Sequence, residues 1–172
     1  MTRIHPTYRT RRGLDESATA LLAVGRYTVL GTENPDGSVH MTPVMYLYDD
    51  GRLYIETSAA TRKARNVLVR PRATILVQDD RAEGSAWVSG AGPAELLHGD
   101  DAHRLGRRIR GRYLTERGEE QMGSVMAIYD DVVLAVTPEI WMAWDTTAFY
   151  ATLESHGLSL DDAEEWLLPF DA

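Results

Sequence analysis

Turn signals punctuate this chain at intervals too short for anything but strands. Asn34-Pro35-Asp36-Gly37 and Asp49-Asp50-Gly51 each separate two runs rich in β-branched and aromatic residues, which is the pattern of hairpins. Segments 27–32, 39–48, 53–57, 73–78, 86–97, 132–136 and 140–144 therefore read as strands. Pro43 lies inside the second of these and cannot donate to a ladder, so it implies a sheet edge, a bulge or a bend. Gly90, Gly92 and Pro93 imply a bulge or tight bend inside 86–97, and Pro138 breaks the last two strands apart. Helices are expected at 14–24, 60–70 and 100–127, and in an acidic tail at 160–168. Leu14, Ala18, Leu21 and Leu22 share one face of the first, with Asp15 to cap it and Gly25 to end it. Pro71 stops the second, and glycines 106, 111, 118 and 123 interrupt the third. Many short strands and few helices argue for a closed or nearly closed antiparallel barrel.

At 172 residues and 44% hydrophobic, the chain suits one globular domain with one core. No repeat, low-complexity stretch or linker divides it. It has no cysteine, which excludes disulfide scaffolds, zinc–thiolate centres and cysteine nucleophiles. The basic start is followed by no apolar core of signal length, and there is no long uncharged apolar run. A cytoplasmic protein that does not span a membrane is expected. The net charge of −8 argues against a nucleic-acid partner, because phosphate attraction depends on the whole field.

The charge is unevenly placed. Arg62, Lys63, Arg65, Arg70 and Arg72 lie close together with no acid between them, and a second run holds Arg104, Arg107, Arg108, Arg110 and Arg112. From Asp145 onward there are acids but no Lys or Arg. Such local patches suit small anions, or else are solvated helix faces. On a helical wheel Arg104, Arg107, Arg108 and nearly Arg112 share a side while Arg110 points away. The self-repelling stripe needs a partner: either the acidic tail at 161–165 or an anionic ligand.

The segment Thr57-Ser58-Ala59-Ala60-Thr61-Arg62-Lys63-Ala64-Arg65-Asn66 carries the clearest chemistry. A strand ends in two hydroxyl residues, and a helix begins near Thr61 with three cations in its first turn. That sign is wrong for an isolated helix, where each cation near the positive N-terminal end costs a few tenths to about 1 kcal/mol. Free N–H groups, the dipole and the cations together describe an anion site. Of the 18 basic residues, Lys63 is the single lysine. A lysine kept in so arginine-rich a chain suits a compact point charge placed on a phosphate.

From residue 39 to 78 the sequence resembles the pyridoxamine 5′-phosphate oxidase-like FMN-binding split-barrel family, and within it the flavin and deazaflavin oxidoreductases. The matching order is a strand with a proline, an Asp-Gly hairpin, a strand ending in Thr-Ser, an Arg-Lys-x-x-Asn helix start, a proline and another strand. Val88-Ser89-Gly90-Ala91-Gly92-Pro93-Ala94-Glu95-Leu96-Leu97 and the segment 132–145 are similar as well. The resemblance implies a mostly β, six-stranded antiparallel split barrel with flanking helices, in a single domain whose core spans about 17–145, followed by an acidic helical extension at 146–172. It implies a homodimer with cofactor sites at the interface, closed by residues of the partner subunit. The phosphate would sit on Thr57, Ser58, Arg62 and Lys63, with Thr61 at the helix start and Asn66 close by. The tricyclic ring would lie along Pro43, Val44, Met45 and Tyr46. The family's true pyridoxamine phosphate oxidases carry an arginine-rich C-terminal substrate motif, whereas this chain ends in acids, which argues against that activity.

The implied function is an oxidoreductase that moves hydride to or from a small unsaturated molecule. Coenzyme F420 is favoured, since its glutamate tail would explain Arg65 and the second arginine run; FMN is the close rival. The alternative is a carrier that holds a flavin or haem without turnover. No catalytic side chain stands out, which fits chemistry done by a cofactor. His98, Asp100, Asp101 and His103 match no common metal spacing and read as a polar loop; no metal site is expected. His40 faces either solvent or the groove. Trp141, Met142 and Trp144 read as core or dimer contact.

Overall fold

The computed structural model describes residues 9–11, 13–24, 27–79, 86–126 and 128–158. In chain order these form β1 (Arg9–Arg11), α1 (Glu16–Ala23), β2 (Tyr27–Glu33), β3 (Val39–Met45), β4 (Leu47–Asp49) and β5 (Arg52–Ser58). Then come α2 (Arg62–Val69), β6 (Arg72–Asp79), β7 (Ala86–Leu97), α3 (Gly99–Arg110) and α4 (Glu116–Met126). The last are β8 (Asp131–Val136), β9 (Ile140–Asp145) and α5 (Thr146–Ser155). The expected strands are all present. The expected long helix is two helices, α3 and α4. The Gly25 stop and the acidic tail at 160–168 lie outside the described residues.

Every pairing is antiparallel, and the hydrogen-bonded path runs β3-β2-β6-β7-β8-β5-β4. Its two ends, β3 and β4, are separated along the chain by Tyr46 alone. The backbone itself thus joins the ends and curls the sheet into a split barrel. The path has seven strands rather than six because Tyr46 interrupts what would be one long bent strand. β9 pairs with β7 outside this path, and β1 pairs with β9. β2 and β5 alternate as the pleat requires, and Asp50 and Gly51, at φ 47° and 75°, turn β4 into β5 as a tight hairpin needs.

β7 belongs to both halves of the barrel. Residues 86–91 pair with β9, and 94–97 pair with β8. The switch falls at Gly92-Pro93, where the β8–β9 connection crosses: Thr137 N–H donates to Pro93 O (2.9 Å) and Glu139 N–H to Ala91 O (3.0 Å). A Cβ on Gly92 would sit 2.1 Å from the Thr137 carbonyl oxygen, so this crossing admits only glycine. At Gly90 the face of Trp141 takes the same space.

The interior is filled by Leu30, Leu53, Ile55, Ile75, Val77, Val88, Leu134 and Val136, with Tyr46 and Trp141. α1 lays Ala18, Leu21 and Leu22 on it, as its periodicity requires, and Asp15 caps it by accepting from Ala18 N–H at 2.9 Å. A second apolar cluster, Leu47, Ala102, Leu105, Ile109 and Val133, joins α3 to the outside of β5 and β8. β5 therefore sends Leu53, Ile55 and Thr57 inward and Tyr54, Glu56 and Ser58 towards the other face.

Candidate functional site

The strand–turn–helix from Thr57 to Asn66 is held by its own hydroxyl groups. Thr61 is the N-cap of α2, with extended backbone (φ −73°, ψ 155°). Its hydroxyl donates to Ser58 O at 2.8 Å and accepts from Ala64 N–H at 3.4 Å. Having spent its hydrogen, it also accepts from Thr57 Oγ1 at 3.1 Å. Ser58 Oγ accepts the Ala60 N–H at 3.2 Å. Among the described residues nothing accepts the N–H groups of Arg62 and Lys63, so two donors point out of the helix start alongside two cations.

Lys63 has no carboxylate within ion-pair reach among the described residues. It is half-buried, and burial holds its ammonium below the ordinary lysine range. A cation that loses water and gains no counter-charge is a standing cost. Arg62 and Arg65 are exposed. Arg70, by contrast, is spent on Glu33 at 2.8 Å, and Arg72 on Glu139 at 3.2 Å.

Asn66 is buried, and its amide donates to Thr32 Oγ1 (3.1 Å) and Asn34 Oδ1 (3.0 Å). It ties α2 to the end of the β2–β3 hairpin, and Arg70 adds a bond to Pro35 O. Thr57, Thr61 and Asn66 thus shape the turn, while Ser58, Arg62 and Lys63 are left to face outward.

Among the described residues β3 has one hydrogen-bonded neighbour, β2, so Pro43 stands at a sheet edge, the first of the places its missing N–H allows. Val39, Met41 and Pro43 present one exposed face. Farther along that face Met45 and Leu47 are covered by α3 and Tyr113. Val44 packs inward against the core. Tyr46 is fully buried, its hydroxyl donating to Leu22 O at 3.0 Å; its side chain belongs to the core and only its backbone is near the open strand. His40 is half-buried opposite Thr32. Trp141 is buried and meets Tyr48 edge-on with ring centres 6.4 Å apart, so it belongs to the core, where Gly90 leaves room for its ring. Trp144 packs on Phe149.

The second arginine run disperses. Arg104 pairs with Asp101 and Arg108 with Asp49. Arg112 donates to Ala23 O at 2.7 Å. Arg110, on the other side of the wheel, is the buried one. It bridges Glu56 on β5 and Glu119 on α4, and Gly106 lets α3 come close enough, since a Cβ there would meet the Glu56 carboxylate. This triad floors a cleft of about 550 Å³ that also takes in His103, Arg107 and Asp131. Burial raises the Glu56 carboxyl despite the Arg110 guanidinium, and raises Asp131 as well. Sequence reasoning missed this cluster; the signal was the single arginine off the stripe together with Glu56 alternating with apolar residues in its strand. No metal-binding cluster of His, Asp and Glu occurs among the described residues.

An open-edged split barrel with a cationic helix start beside it has known relatives. The sequence profile described as pyridoxamine 5′-phosphate oxidase matches residues 14–145. The chain belongs to the pyridoxamine 5′-phosphate oxidase family. The match takes in every strand from β2 to β9, and with them both the turn from Thr57 to Asn66 and the open face of β3. Within the family's fold the chain is similar to the conserved hypothetical protein Rv2991 of Mycobacterium tuberculosis, at 28% identity and TM-score 0.67, over 81% of this chain and 89% of that one. A protein described as an F420 reductase matches at 22% identity and TM-score 0.57, over 74% of this chain and 98% of that one. An FAD-binding protein from Mesorhizobium loti matches at 20% and 0.57, over 81% and 98%. The last two likenesses speak for the fold.

Proposed function

We propose that this member of the pyridoxamine 5′-phosphate oxidase family is an oxidoreductase that holds a flavin-type cofactor by its phosphate at the start of α2. The observation that carries the reading is Lys63, a half-buried cation with no acid partner among the described residues, beside two free N–H groups at a helix N-terminus. A phosphate would answer all of these at once. Ser58 and Arg62 would share it. The ring would lie on the open face of β3 around Pro43, where the strand edge offers backbone carbonyl acceptors, and N–H donors from residues other than the proline, to a ring with amide-like edges.

The cofactor supplies hydride chemistry; the chain's part is binding, orientation and exclusion of water. Coenzyme F420 is the favoured group and FMN the second. Arg65, exposed and without an acid partner among the described residues, suits the glutamate tail that F420 adds. The family membership and the F420-reductase and FAD-binding neighbours support a flavin-type cofactor in general. The substrate would be a small unsaturated molecule. We further propose a homodimer whose interface closes the site, formed by the exposed apolar residues Tyr27, Val39, Met41, Leu68 and Val69 around it. A monomer mass by light scattering at micromolar concentration would count against that arrangement. No helix among the described residues is long and apolar enough to cross a membrane.

Lys63→Ala tests the site. FMN or F420 affinity should fall by about 1.5–3 kcal/mol, roughly ten- to a hundredfold in Kd. Riboflavin, which lacks the phosphate, should bind the variant as it binds the wild type. The ammonium's folded-state pKa lies below its unfolded one, so its cost is present at neutral pH and is relieved as pH rises through the folded value. The unliganded variant should therefore be at least as stable as the wild type. Unchanged FMN and F420 affinity would remove Lys63 from the site. Turnover of reduced F420 or FMN with a panel of unsaturated acceptors separates an enzyme from a carrier.

A further inference from the structure

The β3 strand stops before Tyr46, just past its open face, and one hydroxyl governs that point. Tyr46 lies between two ladders: β3 last pairs at Met45, opposite Tyr27, and β4 first pairs at Leu47, opposite Tyr54. Its N–H donates to Tyr113 Oη at 3.1 Å, and Tyr113 Oη donates back to the Tyr46 carbonyl oxygen at 3.0 Å. A single phenol thus serves both backbone groups at the bend. Tyr113 sits in the turn between α3 and α4, well apart in sequence from everything it holds.

Neighbouring contacts converge on the same residue. The Arg112 guanidinium lies 5.9 Å from the centre of the Tyr46 ring and donates to Ala23 O. The Tyr46 hydroxyl donates to the end of α1, at Leu22 O. The Tyr113 ring packs against exposed Tyr27, with centroids 6.0 Å apart, so it borders the open face as well as pinning the bend. A phenol that stays protonated can donate and accept at once; burial keeps the Tyr113 hydroxyl above its ordinary pKa.

We propose that Tyr113 is a positioning residue for the cofactor ring: by clamping the Tyr46 backbone it fixes the angle between β3 and β4, and so the place where the ring-bearing face stops. This rests on the proposed flavin-type function. The clamp acts at the ring end of the site, whereas Lys63 acts at the phosphate end, and the two ends respond to different ligands.

The test is Tyr113→Phe in the full chain, which removes one oxygen. Amide hydrogen exchange at Tyr46, without cofactor, should speed up. Riboflavin and FMN should both bind more weakly, by about five- to thirtyfold, the scale of losing a hydrogen-bond pair at a buried bend. The absorption bands of bound FMN should move towards those of free FMN. Lys63→Ala should leave those bands in place. If Tyr113→Phe does not fold, 4-fluorophenylalanine at position 113 fills the place of the oxygen while removing the donor and nearly all of the acceptor strength, and the same three changes are expected. Faster exchange with unchanged affinity and spectrum would overturn the proposal and leave Tyr113 a fold residue. Unchanged exchange would deny the clamp itself. A wild-type protein that binds neither FMN nor F420 overturns the functional reading first, before any variant is made.

Discussion

Arg110→Met is expected to destabilise the protein by about 3–5 kcal/mol, the cost of leaving a buried carboxylate without its cation. Arg110 is buried between Glu56 and Glu119. Glu56 is close-packed under Gly106 at the floor of the cleft, and its side chain is 9% exposed. Urea denaturation of wild type and variant measures the loss. The double variant Arg110→Met/Glu56→Leu should recover most of it, because the charge that lost its partner is gone and the volume is kept. A loss below about 1 kcal/mol in the single variant would mean that the pair is solvated.

The pH dependence follows with a definite sign. Burial holds the Glu56 carboxyl above its ordinary range, with Arg110 opposing the shift. A carboxyl with a raised folded-state pKa contributes stability that is fully present below its unfolded value and lost as pH rises through the folded one. Removing Arg110 removes the opposing effect. The stability of Arg110→Met should therefore fall more steeply than that of wild type as pH rises from the ordinary glutamate range upward. Denaturation midpoints across that interval check the slope.

Gly92→Ala should be the second most damaging change, at about 2–4 kcal/mol, by forced overlap in a packed interior. The new methyl group would meet the Thr137 carbonyl oxygen, which is backbone and cannot swing aside. The two bonds that hold the crossing, to Pro93 O and Ala91 O, would have to lengthen together. Gly37→Ala is a useful contrast. Nothing lies within 4 Å of a Cβ there, and only its φ of 84° opposes the change, so its cost should stay near 1 kcal/mol. A thermal melt in which Gly92→Ala matches Gly37→Ala would show that the crossing has slack.

Local chemistry was legible where neighbours in sequence are also neighbours in space. The Asp-Gly hairpin, the Asp15 cap and the cationic start of α2 all depend on a few consecutive residues, and all three are found in the folded chain; Pro43 allowed an edge, a bulge or a bend, and strand order made it an edge. The strand–turn–helix order from Thr57 to Asn66 could likewise be read ahead. What each side chain then does could not. Thr57, Thr61 and Asn66 look like ligand-binding polar groups, yet they spend themselves on the turn and on the hairpin, because partners such as Thr32 and Asn34 arrive from another strand. Tyr46 likewise reads as a member of the ring strand, and the barrel turns its side chain into the core.

By itself the sequence determined the strand pattern, the family and the unusual charge at residues 62–65, since each rests on short-range periodicity, spacing or composition. The tertiary structure alone decided which cations are free. Lys63 and Arg65 remain without acids among the described residues, and Arg62 forms no ion pair there although its charge is felt by Asp36, whereas Arg70, Arg104, Arg108 and Arg110 are paired by Glu33, Asp101, Asp49 and Glu56. Most of those acids come from distant elements. The same holds for Tyr113, whose value lies in meeting Tyr46 across the fold. A side chain's charge and shape are written in the sequence, but its partner is set by strand order and by the approach of α3 to the barrel, and it is the partner that decides whether the group builds the fold or is left for a ligand.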